Sequence, residues 1–287
     1  MKFGVIPSYQ NAPVETAEYA SGFGRLVEKL GFESVWPVEH VVMPAEYHSA
    51  YPYDPSGRMP IPDAAIPDPL IWNTWVAAAA QHLLLGTAIA ILPQRNPVVF
   101  AKTLASLDVL SGGRVVLGAG IGWLREEAEA VGTNFANRGR RIDEYIQAMR
   151  TLWNDPVASF KGEFVHFEAV KCSPRPTRSI PIHIGGHSDA AARRAGRLGD
   201  GFLPLGAGPA ELARLRSVMA DAAREAGRDP ETIEITCIGP ANRETAQACA
   251  DAGVYRLIVA SHEPDLAAVE RVLGPFSESV IGALGSS

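Results

Sequence analysis

The chain has 287 residues, 47% of them hydrophobic and 20% charged, with a formal net charge of -6. That composition fits a globular protein able to bury a large core, and the negative balance offers no wide basic surface to a nucleic-acid backbone. The three cysteines, Cys172, Cys237 and Cys249, make neither a CxxC pair nor an even-numbered framework, so we expect a reducing, cytoplasmic setting rather than a disulfide scaffold.

The chain opens with MKFGVIP, whose apolar run is too short for a signal peptide, and FGVI at 3–6 reads as a first strand. A helix is expected over 14–30, ended by Gly31, and SVWPVEH from Ser34 reads as strand two. Residues 41–67 then hold six prolines and three tyrosines without a helical period. A connection of that length in a compact domain is usually functional or disordered.

Asp68-Pro69 supplies an N-cap followed by proline at the first helical position, with Leu70, Ile71 and Trp75 on one face of the helix it opens. The stretch WVAAAAQHLLLGTAIAIL is near the minimum length of a membrane span. It contains Gln81, His82 and Gly86, however, and reads better as a helix running into strand three at 85–92, so no membrane partner is expected.

Asn96-Pro97 repeats the cap device before Phe100, Leu104 and Leu107, and RVVLGAG from Arg114 reads as strand four. Ile142, Tyr145, Ile146, Met149, Leu152 and Trp153 stripe the next helix. FKGEFVHFEAV reads as a hairpin inserted before strand five, PIHIGG at 181–186, after which Ser188 caps a helix. GFLPL from Gly201, TIEITCI from Thr232 and YRLIVA at 255–260 complete eight strands, with helices over 209–226 and 244–252 between them.

Serial strand-helix units with continuously apolar strands predict a parallel sheet buried on both faces, in one domain over 1–287. Eight units suggest closure into a single (β/α)8 TIM barrel, an α/β fold with a long loop after strand 2 and a hairpin before strand 5. A doubly wound open sheet is the other topology such a pattern allows.

Barrel chemistry gathers at the carboxyl ends of the strands, and that rule ranks the candidates. LGAGIGW at 117–123 resembles a dinucleotide turn, but G-x-G-x-x-G wants its third glycine at Trp123 or Arg125, and neither is one. Glu39 and His40 close strand two. Adjacent residues of an extended strand point to opposite sides, so one of the pair can face the mouth and the other the shell. Of the two, only histidine has an unperturbed pKa suited to proton transfer near neutrality, although His40 could equally cap the strand. Gly185, Gly186 and His187 lead into the helix that Ser188 opens, either as an anion-binding turn or as a tight strand-to-helix turn. No HxH or HExxH spacing occurs, so no metal is expected.

The order of these segments carries a resemblance. EH after strand two, LGTAIAILPQRNPVVFAKTLASLDVLSGGR, GAGIGWLREE, RGRRIDEYIQAMRTLW, PIHIGG and GRLGDGFLP together resemble the bacterial luciferase-like flavin and deazaflavin oxidoreductases. The likeness runs from about residue 1 to residue 205 and is nearest to members that use coenzyme F420. It implies a planar tricyclic cofactor across the strand ends. Gly120, Ile121, Gly122 and Trp123 would lie against its ring, and Gly185, Gly186 and His187 would receive its phosphate. Ala88-Ile89 matches the position where the family commonly carries a non-prolyl cis peptide behind the ring. His40 corresponds to a cofactor-facing histidine of the deazaflavin-dependent sugar-phosphate dehydrogenases, with Glu39 matching the acid before it. Those relatives also place an acid in the strand-four loop, where this chain has Trp123.

The expectation is therefore an F420-dependent oxidoreductase that moves hydride between the deazaflavin C5 and a small organic substrate. His40 and Glu39 are the candidate catalytic pair, and Arg138 is a candidate for the cofactor's phosphate or tail. Trp123, Tyr47, Tyr51 and Tyr53 would wall the substrate side. The alternatives are an FMN-dependent monooxygenase on the same fold and a non-catalytic F420-binding protein. The resemblance also implies a homodimer.

Overall fold

A computed structural model describes residues 1–285. Strand β1 (Lys2–Ile6) leads to helix α1 (Ala17–Lys29), β2 (Ser34–Val35) and, after the long loop, α2 (Pro69–Ala79). Two short pieces, β3 (Leu84–Leu85) and β4 (Ala90–Ile91), precede α3 (Pro97–Ser111), β5 (Leu117–Gly120), α4 (Arg125–Ala130) and α5 (Arg138–Asn154). The antiparallel pair β6 (Ala158–Lys161) and β7 (His166–Val170) follows. Next come β8 (Ile182–Gly185), α6 (Asp189–Leu198), β9 (Gly201–Leu203), α7 (Pro209–Glu225) and β10 (Glu234–Gly239). The described chain then runs through α8 (Arg243–Asp251), β11 (Arg256–Ala260) and α9 (Leu266–Phe276).

Nine strands form one curled parallel sheet in the order β3-β2-β1-β11-β10-β9-β8-β5-β4. Both edge pieces come from the single third strand of the sequence reading. β3 pairs with β2 and β4 with β5, while Leu85 also bridges to Val115, so the two edges of the curl meet.

Local chemistry explains the helix starts. Asp68 and Asn96 each accept two backbone N–H bonds, with proline at the first helical position, and Ser188 accepts from Ala191. Strand two is shorter than expected. It leaves the ladder after Val35, because Pro37 has no N–H to offer, although the Pro37 carbonyl still accepts from Ala88.

The third strand is interrupted at the Ala88–Ile89 peptide, which is cis, and the glycines of LGAGIGW make room for this interruption. A Cβ on Gly118 would lie 1.8 Å from the Thr87 carbonyl oxygen. One on Gly120 would lie 2.5 Å from Ile89 Cδ1, and one on Gly185 would lie 2.6 Å from Ile89 Cγ2.

The period-2 alternation sorts side chains into a shell and a lumen. Val5, Val35, Leu117, Ile182, Leu257 and Val259 pack outward against the helices. Ile6, Trp36, Val116, Leu203 and Ile258 fill the lumen, with Trp36 fully buried beneath a partly buried layer that includes Val38, Ile89, Leu205, Ile238 and Ala260. No helix among the described residues is long and apolar enough to cross a membrane.

Candidate active site

His40 lies five residues past the end of β2, with its side chain 11% exposed. Glu39 enters the shell, where it is 5% exposed. Its carboxylate accepts from the Ile91 N–H and from Arg95, which also reaches Asp68 at 2.7 Å. Burial pushes the Glu39 carboxyl above the ordinary range, against the pull of Arg95. At Asp68 burial acts in the same direction, but hydrogen bonding and charge from Arg95 win, and its pKa is lowered. Glu39 thus ties the end of strand two to β4, next to the cis peptide.

The residue that meets His40 is Glu127, on α4. Its side chain is fully buried, and Oε2 lies 3.1 Å from His40 Nδ1. Glu127 Oε1 accepts from the N–H of Val41 at 2.6 Å and of Val42 at 3.4 Å. Its neighbour Glu126 accepts from the N–H of His48 and Ser49 and from the Ser49 hydroxyl, at 2.7, 3.2 and 2.7 Å. The His48 and Ser49 donors hold the Glu126 carboxyl down at about 2. Two consecutive acids therefore fasten the 41–67 loop to the strand-four loop.

The sequence reading missed both glutamates. LREE behind GIGW looks like ordinary acidic decoration of a helix start, where negative charge is favoured by the helix dipole in any case. Trp123 occupies the place where an acid was sought, and the acid that approaches His40 arrives four residues later.

Trp123 sits edge-to-face against His40 at 5.9 Å, Tyr47 at 5.7 Å and Tyr51 at 5.1 Å between ring centres. Tyr51 meets Tyr53 at 5.4 Å, and Tyr53 meets His187 at 5.2 Å. An aromatic chain thus runs from the end of strand two to the end of β8. Beside it lies a cavity of about 400 Å³ lined by Pro52, Tyr53, His187, Leu205, Gly206 and Glu211, among others.

The remaining candidates divide. Ala88 and Ile89 are partly exposed in the floor, and Ile121, Gly122 and Trp123 are partly exposed at the end of β5, whereas Gly120 is buried against Ile89. Gly185 and Gly186 turn the chain into α6, Gly186 with a φ of +131° that disfavours other residues, and His187 is exposed at the turn. Arg138 braces the strand-four loop from behind, donating to the Gly122 carbonyl at 3.3 Å and stacking on Phe135 at 3.6 Å. Among the described residues, no group of three or more His, Cys, Asp or Glu side chains is placed to hold a metal.

Solved structures share this fold. One is the monooxygenase RslO1 from Streptomyces bottropensis, with a TM-score of 0.78 at 21% identity over 98% of this chain and 99% of that one. Another is an F420-dependent secondary alcohol dehydrogenase in complex with an F420-acetone adduct, with a TM-score of 0.77 at 20% identity over 97% and 98%. By sequence, the chain is similar to an F420-dependent glucose-6-phosphate dehydrogenase of Kineococcus radiotolerans, 29% identical over 79% of this chain and 64% of the relative. It is also similar to an uncharacterised protein of Mycobacterium tuberculosis strain H37Rv, 34% identical over 90% of this chain and 89% of the relative. The model of the luciferase-like monooxygenase family matches residues 1–271, and with that match the chain is placed as a member of this family.

Proposed function

We propose that the curled sheet is a (β/α)8 barrel whose mouth holds coenzyme F420, and that the protein is an F420-dependent oxidoreductase acting on a small organic substrate. One observation carries the reading. A partly buried imidazole stands edge-to-face against Trp123, with one nitrogen 3.1 Å from a fully buried carboxylate.

The residues suit the cofactor. Val38, Ala88, Ile89, Leu205, Ile238 and Ala260 make an apolar support for a planar ring, and the Gly185–Gly186 turn into α6 suits its phosphate. A bound deazaflavin would supply hydride chemistry, since carbon stands where flavin has N5 and the reduced ring then reacts poorly with oxygen. The protein's part is to exclude water and manage a proton. Trp123 and the tyrosines of the 41–67 loop wall the substrate side, and His40 holds or releases the proton that accompanies the hydride. Glu39 supports the floor through Ile91. The F420-dependent sequence relatives support the same reading.

The test is turnover of F420, followed by its absorbance, against a panel of alcohols and carbonyl compounds. His40→Ala is expected to lower kcat by about 10²–10⁴-fold, the usual contribution of positioned proton transfer. Turnover that survives the substitution removes the proposed role.

The homodimer belongs to this proposal too. Helix α2 carries no charged residue, and its Ile71 and Trp75 are exposed, as are Val99 and Leu110 on the adjacent α3. Light scattering is expected to give twice the chain mass, and Trp75→Glu to return it to the monomer value.

A further inference from the structure

We infer that Glu127 is the positioning residue that decides which nitrogen of His40 exchanges a proton with the substrate. The inference rests on the reading of His40 given above and adds the group that directs it.

Glu127 Oε1 is committed to the N–H groups of Val41 and Val42, which leaves Oε2 for His40 Nδ1 at 3.1 Å. A carboxylate can only accept, so in the neutral imidazole the proton belongs on Nδ1 and the lone pair on Nε2, at the opposite edge of the ring. The Trp123 ring stands nearly perpendicular to the imidazole, at 81°, and limits its rotation. Glu127 is fully buried, so water does not compete for Oε2. The same carboxylate holds the start of the 41–67 loop, which couples the tautomer to the loop that carries Tyr47, Tyr51 and Tyr53.

For the alcohols and carbonyl compounds of the turnover panel, the lone pair at Nε2 is the group that meets the hydroxyl proton. In the oxidative direction the hydroxyl O–H breaks and an Nε2–H bond forms, the hydride leaves the same carbon for the oxidised deazaflavin, and a carbonyl results. In the reductive direction the imidazolium returns that proton to the carbonyl oxygen as hydride arrives from the reduced deazaflavin. Atoms and charge balance both ways without a further reactant. Glu39 takes no part in the relay, because its carboxylate faces Ile91 and Arg95 in the shell.

The test is long-range ¹H–¹⁵N correlation on histidine-labelled protein without cofactor, with the His40 signals assigned by their loss in His40→Ala. The native protein is expected to show His40 as the Nδ1–H tautomer. In Glu127→Gln the amide oxygen can still serve Val41 while the amide N–H turns to Nδ1, so the signal inverts to the Nε2–H tautomer. Turnover of alcohol and ketone should fall together by about 10²-fold. Glu126→Gln, which loosens the same loop at Ser49 without touching His40, should leave the native tautomer. A native Nε2–H tautomer or an even mixture overturns the inference, as does an unchanged signal in Glu127→Gln or an inversion in Glu126→Gln. A separate titration with F420 keeps the two levels apart. Binding of F420 with the wrong tautomer defeats this inference alone, whereas the expected tautomer without F420 binding defeats the cofactor reading and leaves the His40–Glu127 pair standing.

Discussion

At the amino-terminal end of the sheet, Arg256 lies over Trp36 and donates to both oxygens of Glu33, at 2.8 and 2.9 Å, and to Glu234 at 3.4 Å. His183 joins the group through Glu234 and Thr236. At the carboxyl end, His40 has one nitrogen against Glu127 and the Trp123 ring edge-to-face beside it. The lower end holds a histidine with two glutamates and the upper end a histidine with one. The lower network turns every charge toward another member of the same cluster. The upper one leaves a single imidazole edge without a protein partner among the described contacts, and that difference separates a structural network from a site.

Breaking the lower network should have the largest effect on stability. Arg256→Met removes the arginine shared by Glu33 and Glu234, leaving Glu33 with Ser34 and Glu234 with His183, and a loss of about 3 kcal/mol is expected, at the low end for buried pairs because both glutamates keep some exposure. A urea midpoint that hardly moves would show that the cluster contributes little, whereas kcat of the folded fraction is expected to change little.

The frame of the upper end comes next. Gly118→Ala drives a methyl group into the Thr87 carbonyl, and a cost of about 1–3 kcal/mol is expected from overpacking against backbone. The floor around Ile89 should shift with it, so the affinity for F420 should fall in parallel. Full stability and full affinity in this variant would contradict the tight approach of the two strands.

The smallest effect is a titration. Glu126 is lowered from 4.5 to about 2, so its contribution is fully present above pH 4.5 and is lost as pH falls toward about 2. Trp123, which packs on Tyr47 and Tyr51 of the fastened loop, should report this as a fluorescence change in that window. Glu126→Gln should abolish the change, and an identical profile in the variant would remove the acid from its role as a fastener.

How much of this the sequence held depends on whether the signal was local. Asp68-Pro69, Asn96-Pro97 and Ser188 announced their helices because capping needs only neighbours, and the stripe from Ile142 to Trp153 announced α5 because one face of a helix repeats. The split of strand three was harder to see, since LGTAIAIL is continuously apolar and the interruption depends on glycines of another strand. The different surroundings of Glu39 and His40 were anticipated from alternation, since adjacent extended residues face opposite sides. Glu127 left no such trace, because its meeting with His40 spans 87 positions and depends on where a six-residue helix starts.

The central claim is tested most directly by a paired titration of the purified protein with oxidised F420 and with FMN, followed by quenching of tryptophan fluorescence. The account predicts that F420 binds at least roughly tenfold more tightly than FMN, a difference of about 1.4 kcal/mol. The reverse preference would move the protein to the oxygen-using flavin chemistry of its family and contradict the role given to His40 as the group that handles the proton accompanying hydride transfer.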